Sequence, residues 1–128
     1  MNVLLDTHVF IWVASDVSQL SEKAYHLIRD PEHVKWLSLV SVWEMQIKSQ
    51  MGKLILQKPL GELIEEQQEQ NSLQVLPITL PHILALDELP FHHRDPFDRL
   101  LIAQSIQQGF VLLSRDAVFT EYGVDVQW

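Results

Sequence analysis

Short apolar runs alternate along this chain with longer segments in which apolar residues recur at helical spacing. The apolar runs are too short for core helices and are bounded by polar or turn-forming residues, which predicts buried strands. These predicted strands span residues 2–6, 34–40, 73–77 and 110–114, with a possible edge strand at 124–128.

The segments between the strands predict helices, because apolar positions three and four residues apart form one face of a helix. The predicted helices span residues 7–14, 21–30, 41–52, 59–71, 80–89 and 96–109, followed by a helical turn at 116–123. Their ends carry the usual signals: Ser41 is the expected N-cap and Gly52 the stop of the third helix, while Pro96 begins and Gly109 ends the sixth.

Strands that alternate with helices predict the α/β class, as a three-layer α/β/α fold around a mainly parallel sheet of four to five strands. No linker or low-complexity segment interrupts residues 1–128, so a single domain is expected. Right-handed crossovers place the helix N-termini at the carboxyl edge of such a sheet, where open α/β folds build their sites.

Composition narrows the possible functions. The chain has 9 basic and 17 acidic residues, a formal net charge of −8, and no cysteine. The missing cysteines exclude disulfides and cysteine-ligated zinc. The negative charge and the lack of a basic stripe count against strong non-specific binding of nucleic acid, and they suit a bound cation or a basic partner. Neither a leader peptide nor a membrane span is visible, so a cytoplasmic protein without a membrane partner is expected.

Four acidic residues stand at junctions between strands and helices. Asp6 closes the first strand, Glu44 and Asp98 lie in the first turns of helices, and Asp116 follows the fourth strand. Carboxylate oxygens at one sheet edge favour Mg²⁺ or Mn²⁺, and such ions can promote hydrolysis of a phosphodiester.

Helix capping is the alternative explanation for most of these acids. Ser41 and Glu44 have the spacing of a capping box, Asp95 is a natural N-cap three residues before Asp98, and Asp116 could cap the last helical turn. Asp6 is the hardest to explain in this way, because it directly closes an apolar strand.

Four blocks together resemble a PIN domain, and most closely the VapC-type toxins of bacterial toxin–antitoxin pairs. The blocks are LLDTHVFIW at 4–12, LSLVSVWEMQIK at 37–48, HRDPFDRLLIAQ at 93–104 and LLSRDAVF at 112–119. They occur in the expected order and at the expected separations, so the resemblance covers nearly the whole chain. Each block is weakly specific alone, whereas four in register are highly specific.

The resemblance implies a Mg²⁺- or Mn²⁺-dependent endoribonuclease whose catalytic, metal-binding acids are Asp6, Glu44, Asp98 and Asp116. Asp98 is preferred to Asp95 because the family acid is followed by the pattern seen in DRLLIA. The implied partners are an RNA substrate, a small antitoxin with a basic segment and a second copy of the chain.

Further residues are expected to support these acids. Residues placed to orient a carboxylate or a bound water are Thr7, Asp95 and Ser114. Basic residues close enough in sequence to contact phosphate, or else to form ion pairs with the acids, are Lys48, Arg94, Arg99 and Arg115. His92 and His93 could contact RNA or donate a proton, but a solvated loop pair is the favoured interpretation.

Other functions fit the sequence less well. A receiver-like module needs an acid after its third strand, where this chain has VLPITLPH, and an aspartate-nucleophile phosphatase usually shows D-x-D where this chain has DTH. A PIN nuclease of RNA processing without a toxin role, and an inactive PIN interaction module, both remain open.

Overall fold

The computed structural model describes residues 1–128 and contains one sheet of five strands, all parallel, in the order β3-β2-β1-β4-β5. The strands are β1 (Asn2–Leu5), β2 (Val34–Ser38), β3 (Gln74–Leu76), β4 (Val111–Leu113) and β5 (Val126–Gln127). The central strand β1 pairs with β2 on one side and with β4 on the other.

Six α-helices connect and cover these strands. They are α1 (Thr7–Ser15), α2 (Glu22–Arg29), α3 (Leu39–Gln50), α4 (Leu60–Asn71), α5 (Leu80–Leu84) and α6 (Pro96–Gln108). Three short 3₁₀ segments complete the chain, at Val17–Gln19, Ala85–Glu88 and Ala117–Tyr122. None of the helices combines the length and the apolar character that crossing a membrane would need.

The hydrophobic core has two parts, one on each face of the sheet. Successive residues of β1 point to opposite faces, so Val3 and Leu5 join the part built with α1, α2 and α4, and Leu4 joins the part built with α6. The predicted three-layer α/β/α fold with a parallel sheet is therefore confirmed.

The start of α3 differs from the prediction. The helix begins at Leu39, not at residue 41, because the Ser38 hydroxyl accepts the backbone N–H of Val40 at 3.0 Å and caps the helix. Leu39 and Val40 continue the apolar run of the strand, so the apolar pattern alone extended the predicted strand by two residues. Ser41 is therefore a buried residue inside the helix, and the predicted capping box of Ser41 with Glu44 is wrong.

The later helices follow the prediction more closely. The segment predicted as one helix at 80–89 is α5 as far as Leu84 and then continues as a 3₁₀ segment. Helix α6 begins with Pro96 after the N-cap Asp95, and Gly109 ends it with a positive φ of 67° that favours glycine.

Ser38 also anchors a buried polar connection between the sheet and α6. Its hydroxyl donates to Oε1 of Gln104 at 2.5 Å, and Nε2 of Gln104 donates to the carbonyl of Pro77 at 3.2 Å. Ser38 and Gln104 are fully buried, so these bonds replace the water that both side chains lose on folding.

Replacing Ser38 by alanine should lower the free energy of unfolding by about 2 kcal/mol, because the helix loses its cap and Gln104 loses a buried partner. Ser49→Ala, at an exposed site on the same helix, is the matched control and should change stability by less than about 0.5 kcal/mol. Urea denaturation of both variants measures the difference. Equal midpoints for the two would contradict the role given to Ser38.

Candidate active site

The pairing of β1 with β4 places Asp6 beside Ser114. Leu5 and Leu113 are paired in register, and the backbone N–H of Asp6 donates to the carbonyl of Leu113 at 3.0 Å. The Ser114 hydroxyl donates to Oδ2 of Asp6 at 2.9 Å. Asp6 occupies the N-cap position of α1 but its side chain caps nothing, so capping does not explain this acid.

Burial raises the pKa of the Asp6 carboxyl above its ordinary value. The hydrogen bond from Ser114 opposes this rise, and the nearby carboxylate of Glu44 adds to it. Asp6 is only 6% exposed, so little solvent is available to stabilise its charge.

Glu44 is held by side chains from two elements. Its Oε1 accepts the hydroxyl of Thr7 at 2.8 Å, and its Oε2 forms a 2.8 Å ion pair with Nζ of Lys48, one turn further along α3. The Thr7 hydroxyl also lies 2.8 Å from that of Ser41, which supports it from one turn earlier on α3. The hydrogen bond to Glu44 raises the pKa of Lys48, which keeps this lysine charged.

Asp95 and Asp98 play different parts at the start of α6. Asp95 is exposed, and its Oδ1 accepts the backbone N–H of Asp98 at 3.0 Å, so it is the N-cap. The carboxyl of Asp98 takes no part in capping and faces the other acids. Burial, and then the charges of Asp95, Asp6, Glu44 and Asp116, raise the pKa of Asp98 to about 8.

Asp116 does cap a helical segment. Its Oδ1 accepts the backbone N–H of Val118 at 3.0 Å at the start of the 3₁₀ segment Ala117–Tyr122. Its own N–H donates to the Ser114 hydroxyl at 3.0 Å. Ser114 therefore hydrogen-bonds the carboxylate of Asp6 and the backbone of Asp116, which holds the two segments that carry these acids together.

All of these acids line one pocket of about 350 Å³ at the carboxyl edge of the sheet. The lining residues are Asp6, Thr7, His8, Trp12, Glu44, Lys48, Asp95, Asp98, Arg115 and Asp116. Five of the ten are carboxylates, so the pocket is strongly acidic. The acids surround the space without converging on one point, since no three acidic or histidine side chains meet closely enough to enclose an ion.

The four basic residues expected near phosphate are placed differently. Lys48 and the exposed Arg115 line the pocket, and the guanidinium of Arg115 lies 4.7 Å from the ring centroid of Trp12. Arg94 is exposed but does not line the pocket. Arg99 is buried and donates to the carbonyls of Leu89 and Pro90, so its guanidinium is occupied by the chain itself.

His93 contacts an acid of the pocket, which the sequence did not predict. Its Nε2 lies 3.3 Å from Oδ2 of Asp98, and its Nδ1 lies 2.6 Å from the hydroxyl of Tyr122. In the sequence, His93 differs from its exposed neighbour His92 in that it begins the block at 93–104 and stands five residues before Asp98. The conformation of the loop decides whether that separation brings the two side chains together.

Comparison with known proteins assigns this chain to a family. The model of the PIN domain matches residues 3–125. Proteins of this family are nucleases, and they generally use divalent metal ions. No curated protein has a sequence similar enough to match this chain.

Several solved structures share the fold at low sequence identity. A chain of VapBC2 from Rickettsia felis, bound to a DNA fragment from its promoter, has a TM-score of 0.74 at 12% identity, covering 99% of this chain and 98% of that one. DNA-bound VapBC from Salmonella typhimurium has a TM-score of 0.71 at 13% identity, covering 99% and 97%.

A third structure is VapBC-5 from Mycobacterium tuberculosis, a member of the VapBC family of toxin–antitoxin systems, with a TM-score of 0.59 at 16% identity, covering 98% and 95%. At these identities the likeness concerns the fold, and the family match concerns nearly the whole sequence. The family recognised from four sequence blocks is thus confirmed, and this chain belongs to the PIN domain family.

Proposed function

We propose that this chain is a Mg²⁺- or Mn²⁺-dependent endoribonuclease and the toxin of a toxin–antitoxin pair. The observation that carries the proposal is the pocket at the carboxyl edge of the sheet, where five carboxylates face only two permanently positive side chains, Lys48 and Arg115. Such a surplus of negative charge is unfavourable in a half-enclosed space unless cations neutralise it.

The chemistry of the pocket suits a small divalent ion. Its acids offer hard oxygen ligands, and it contains neither cysteine nor a histidine cluster that would favour zinc. Burial, and then the charges of four other acids, raise the pKa of Asp98, and a bound cation would lower it again. The residues that we assign to the ion are Asp6, Glu44, Asp98 and Asp116.

A bound divalent ion supplies activation of the attacking water and stabilisation of negative charge at the phosphate. The chain's own residues hold the acids in position, since Ser114 fixes Asp6 and Thr7 fixes Glu44. Lys48 and Arg115, at the pocket wall, are the groups that we assign to backbone phosphates of RNA.

The toxin role is supported by the fold shared with proteins of toxin–antitoxin systems. An antitoxin with a basic segment suits this chain, because the net charge is −8 and the pocket is acidic. An arginine or lysine of that segment would lie among the acids and block both metal and substrate. A role in RNA processing without toxicity would leave the pocket chemistry unchanged, so growth arrest on expression separates the two.

We also propose that the chain forms a homodimer. Helices α3 and α5 expose large apolar side chains, which soluble proteins usually cover. These side chains are Leu39, Trp43, Leu80, Ile83 and Leu84.

The purified protein should cleave RNA with Mg²⁺ or Mn²⁺ and lose this activity in EDTA. Asp6→Asn, Glu44→Gln and Asp98→Asn should each lower the cleavage rate about a hundredfold or more, because one lost ligand misplaces the ion and its water. Asp87→Asn, at an exposed site outside the pocket, is the matched control. Asp95→Asn should have a smaller effect, because asparagine also caps helices well. An inactive Asp95→Asn beside an active Asp98→Asn would reverse the assignment of these two acids.

Asp98→Asn should be more stable than wild type in metal-free buffer, and the difference should grow with pH. Because the folded-state pKa of about 8 lies above the unfolded value, the folded state keeps a proton that the unfolded state has lost, so wild-type stability falls as pH rises from about 4 to 8. Asparagine does not titrate, so its advantage should be small at pH 4 and on the order of 1 kcal/mol or more at pH 9.

Thermal melts across this pH range, with Asp87→Asn as the control, measure the effect. Mg²⁺ should stabilise the wild type by about 1.4 kcal/mol at ten times its Kd and should do much less for Asp98→Asn. If the stability difference between wild type and Asp98→Asn did not change with pH, and if both responded equally to Mg²⁺, Asp98 would have only a structural role in the first turn of α6.

Without its partner, this chain should have the mass of a dimer in solution.

The product of the neighbouring reading frame, as the antitoxin, should co-purify with this chain. The complex should weaken as salt rises, because an acidic pocket that holds a basic segment is screened by ions. Asp98→Asn should weaken it further, and Asp87→Asn should not. If the affinity changed neither with the salt concentration nor in Asp98→Asn, binding through the pocket would be contradicted.

A further inference from the structure

The hydroxyl of Tyr122 holds the histidine pair in the loop before α6. The backbone N–H groups of His92 and His93 donate to Oη of Tyr122 at 3.2 and 3.1 Å, and Nδ1 of His93 lies 2.6 Å from the same oxygen. Tyr122 is 9% exposed and ends the 3₁₀ segment that begins after Asp116. One oxygen therefore has three hydrogen-bonding neighbours from one loop.

These three contacts determine where the protons lie. A phenolic oxygen accepts two hydrogen bonds and donates one. The two backbone N–H groups can only donate, so they take both acceptor positions, and the phenolic proton must point to Nδ1 of His93. A neutral imidazole that accepts at Nδ1 carries its own proton on Nε2.

The proton on Nε2 points to the acidic pocket. Nε2 of His93 lies 3.3 Å from Oδ2 of Asp98, and His93 is the only side chain that hydrogen-bonds this carboxylate. The other acids of the pocket repel the charge of Asp98. A hydrogen-bond donor at Oδ2 keeps this carboxylate oxygen of Asp98 in place against that repulsion.

Packing keeps the His93 ring in the orientation that this needs. The ring meets Tyr122 at a centroid distance of 5.5 Å and Phe119 at 6.4 Å, both edge-on, and Phe119 is buried. His92 also packs edge-on against Tyr122, at a centroid distance of 4.7 Å, but its side chain is exposed and does not contact Asp98. Its nearest charged partner is Glu121 at 4.0 Å.

We propose that His93 is a positioning residue, fixed by Tyr122 in the tautomer that carries its proton on Nε2, and that it orients Asp98 for the divalent ion. The inference deepens the proposed function and rests on it. Through Tyr122, the loop that orients Asp98 is also tied to the segment that Asp116 caps, so two of the assigned ligands share one support.

Four variants of the full chain test the proposal: His93→Leu, His93→Gln, Tyr122→Phe and His92→Leu. Leucine removes both ring nitrogens, whereas glutamine again offers one acceptor and one donor on a planar group. Phenylalanine removes only the hydroxyl, and His92→Leu is the matched control in the neighbouring position.

The primary measurement is the Mg²⁺ concentration that gives half of the metal-dependent rise in melting temperature. It should increase about tenfold or more in His93→Leu and Tyr122→Phe, because lost partners of ligating groups typically weaken metal binding by that factor. It should change less than about threefold in His93→Gln and in His92→Leu. The proposal would be overturned if wild type and His93→Leu needed the same Mg²⁺ concentration. It would also be overturned if His92→Leu needed as high a Mg²⁺ concentration as His93→Leu.

Nitrogen-15 NMR of the histidine rings in metal-free protein provides a second measurement that does not depend on any nuclease activity. The His93 ring should carry its proton on Nε2 in the wild type and should lose this preference in Tyr122→Phe. A ring protonated on Nδ1 would overturn the proposal even if the enzyme cleaves RNA. A wild type that neither responds to Mg²⁺ nor cleaves RNA would overturn the proposed function, and the ring signals would still decide the link between Tyr122 and His93.

Discussion

The central strand β1 is hydrogen-bonded on both edges, and this pairing brings the acids that follow β1, β2 and β4 to one edge of the sheet. Its register with β4 sets Asp6 next to Ser114, and Thr7, the first residue of the following helix, then reaches Glu44 on the helix after β2. A shift of one residue in the pairing with β4 would separate Asp6 from Ser114, because each step along a strand turns the side chains to the opposite face. The apolar residues of β1 prevent such a shift by filling both halves of the core.

Burying two carboxylates in this position has an energetic cost, and the surrounding residues offset it. Asp6 and Glu44 are each almost completely buried, and an unpartnered buried charge strongly destabilises a fold. Hydroxyl groups supply hydrogen bonds to both acids, and Lys48 supplies a positive charge to Glu44. These partners reduce the cost, and the raised pKa of Asp6 indicates that they do not remove it. This remaining instability is what a bound cation would relieve.

Capping, which the sequence presents as the alternative to ion binding, accounts for some acids of this pocket and not for others. Asp95 and Asp116 use one oxygen each to cap a helical segment and still line the pocket. Asp6 and Asp98 cap nothing, and their carboxyl groups face other carboxyl groups. Helix N-termini favour both arrangements, because their N–H groups and their dipoles stabilise negative charge whether or not the side chain caps.

The sequence by itself determined the fold class, because apolar runs and helical periodicity are local properties that survive without tertiary contacts. It also indicated the family through four motif blocks, and it predicted four acids that the structure brings to one pocket. It misplaced the start of α3, because the residues after Ser38 are as apolar as those before it and a side-chain hydrogen bond decides where the helix begins. The ion pair of Lys48 with Glu44, four residues apart on one helix, is a local contact that the sequence already offered as an alternative to phosphate binding. Only the tertiary structure decided that Arg99 is buried and that His93 rather than His92 contacts Asp98. Both depend on how the loop before α6 packs against the rest of the chain, and the local pattern of apolar and polar residues does not encode that packing.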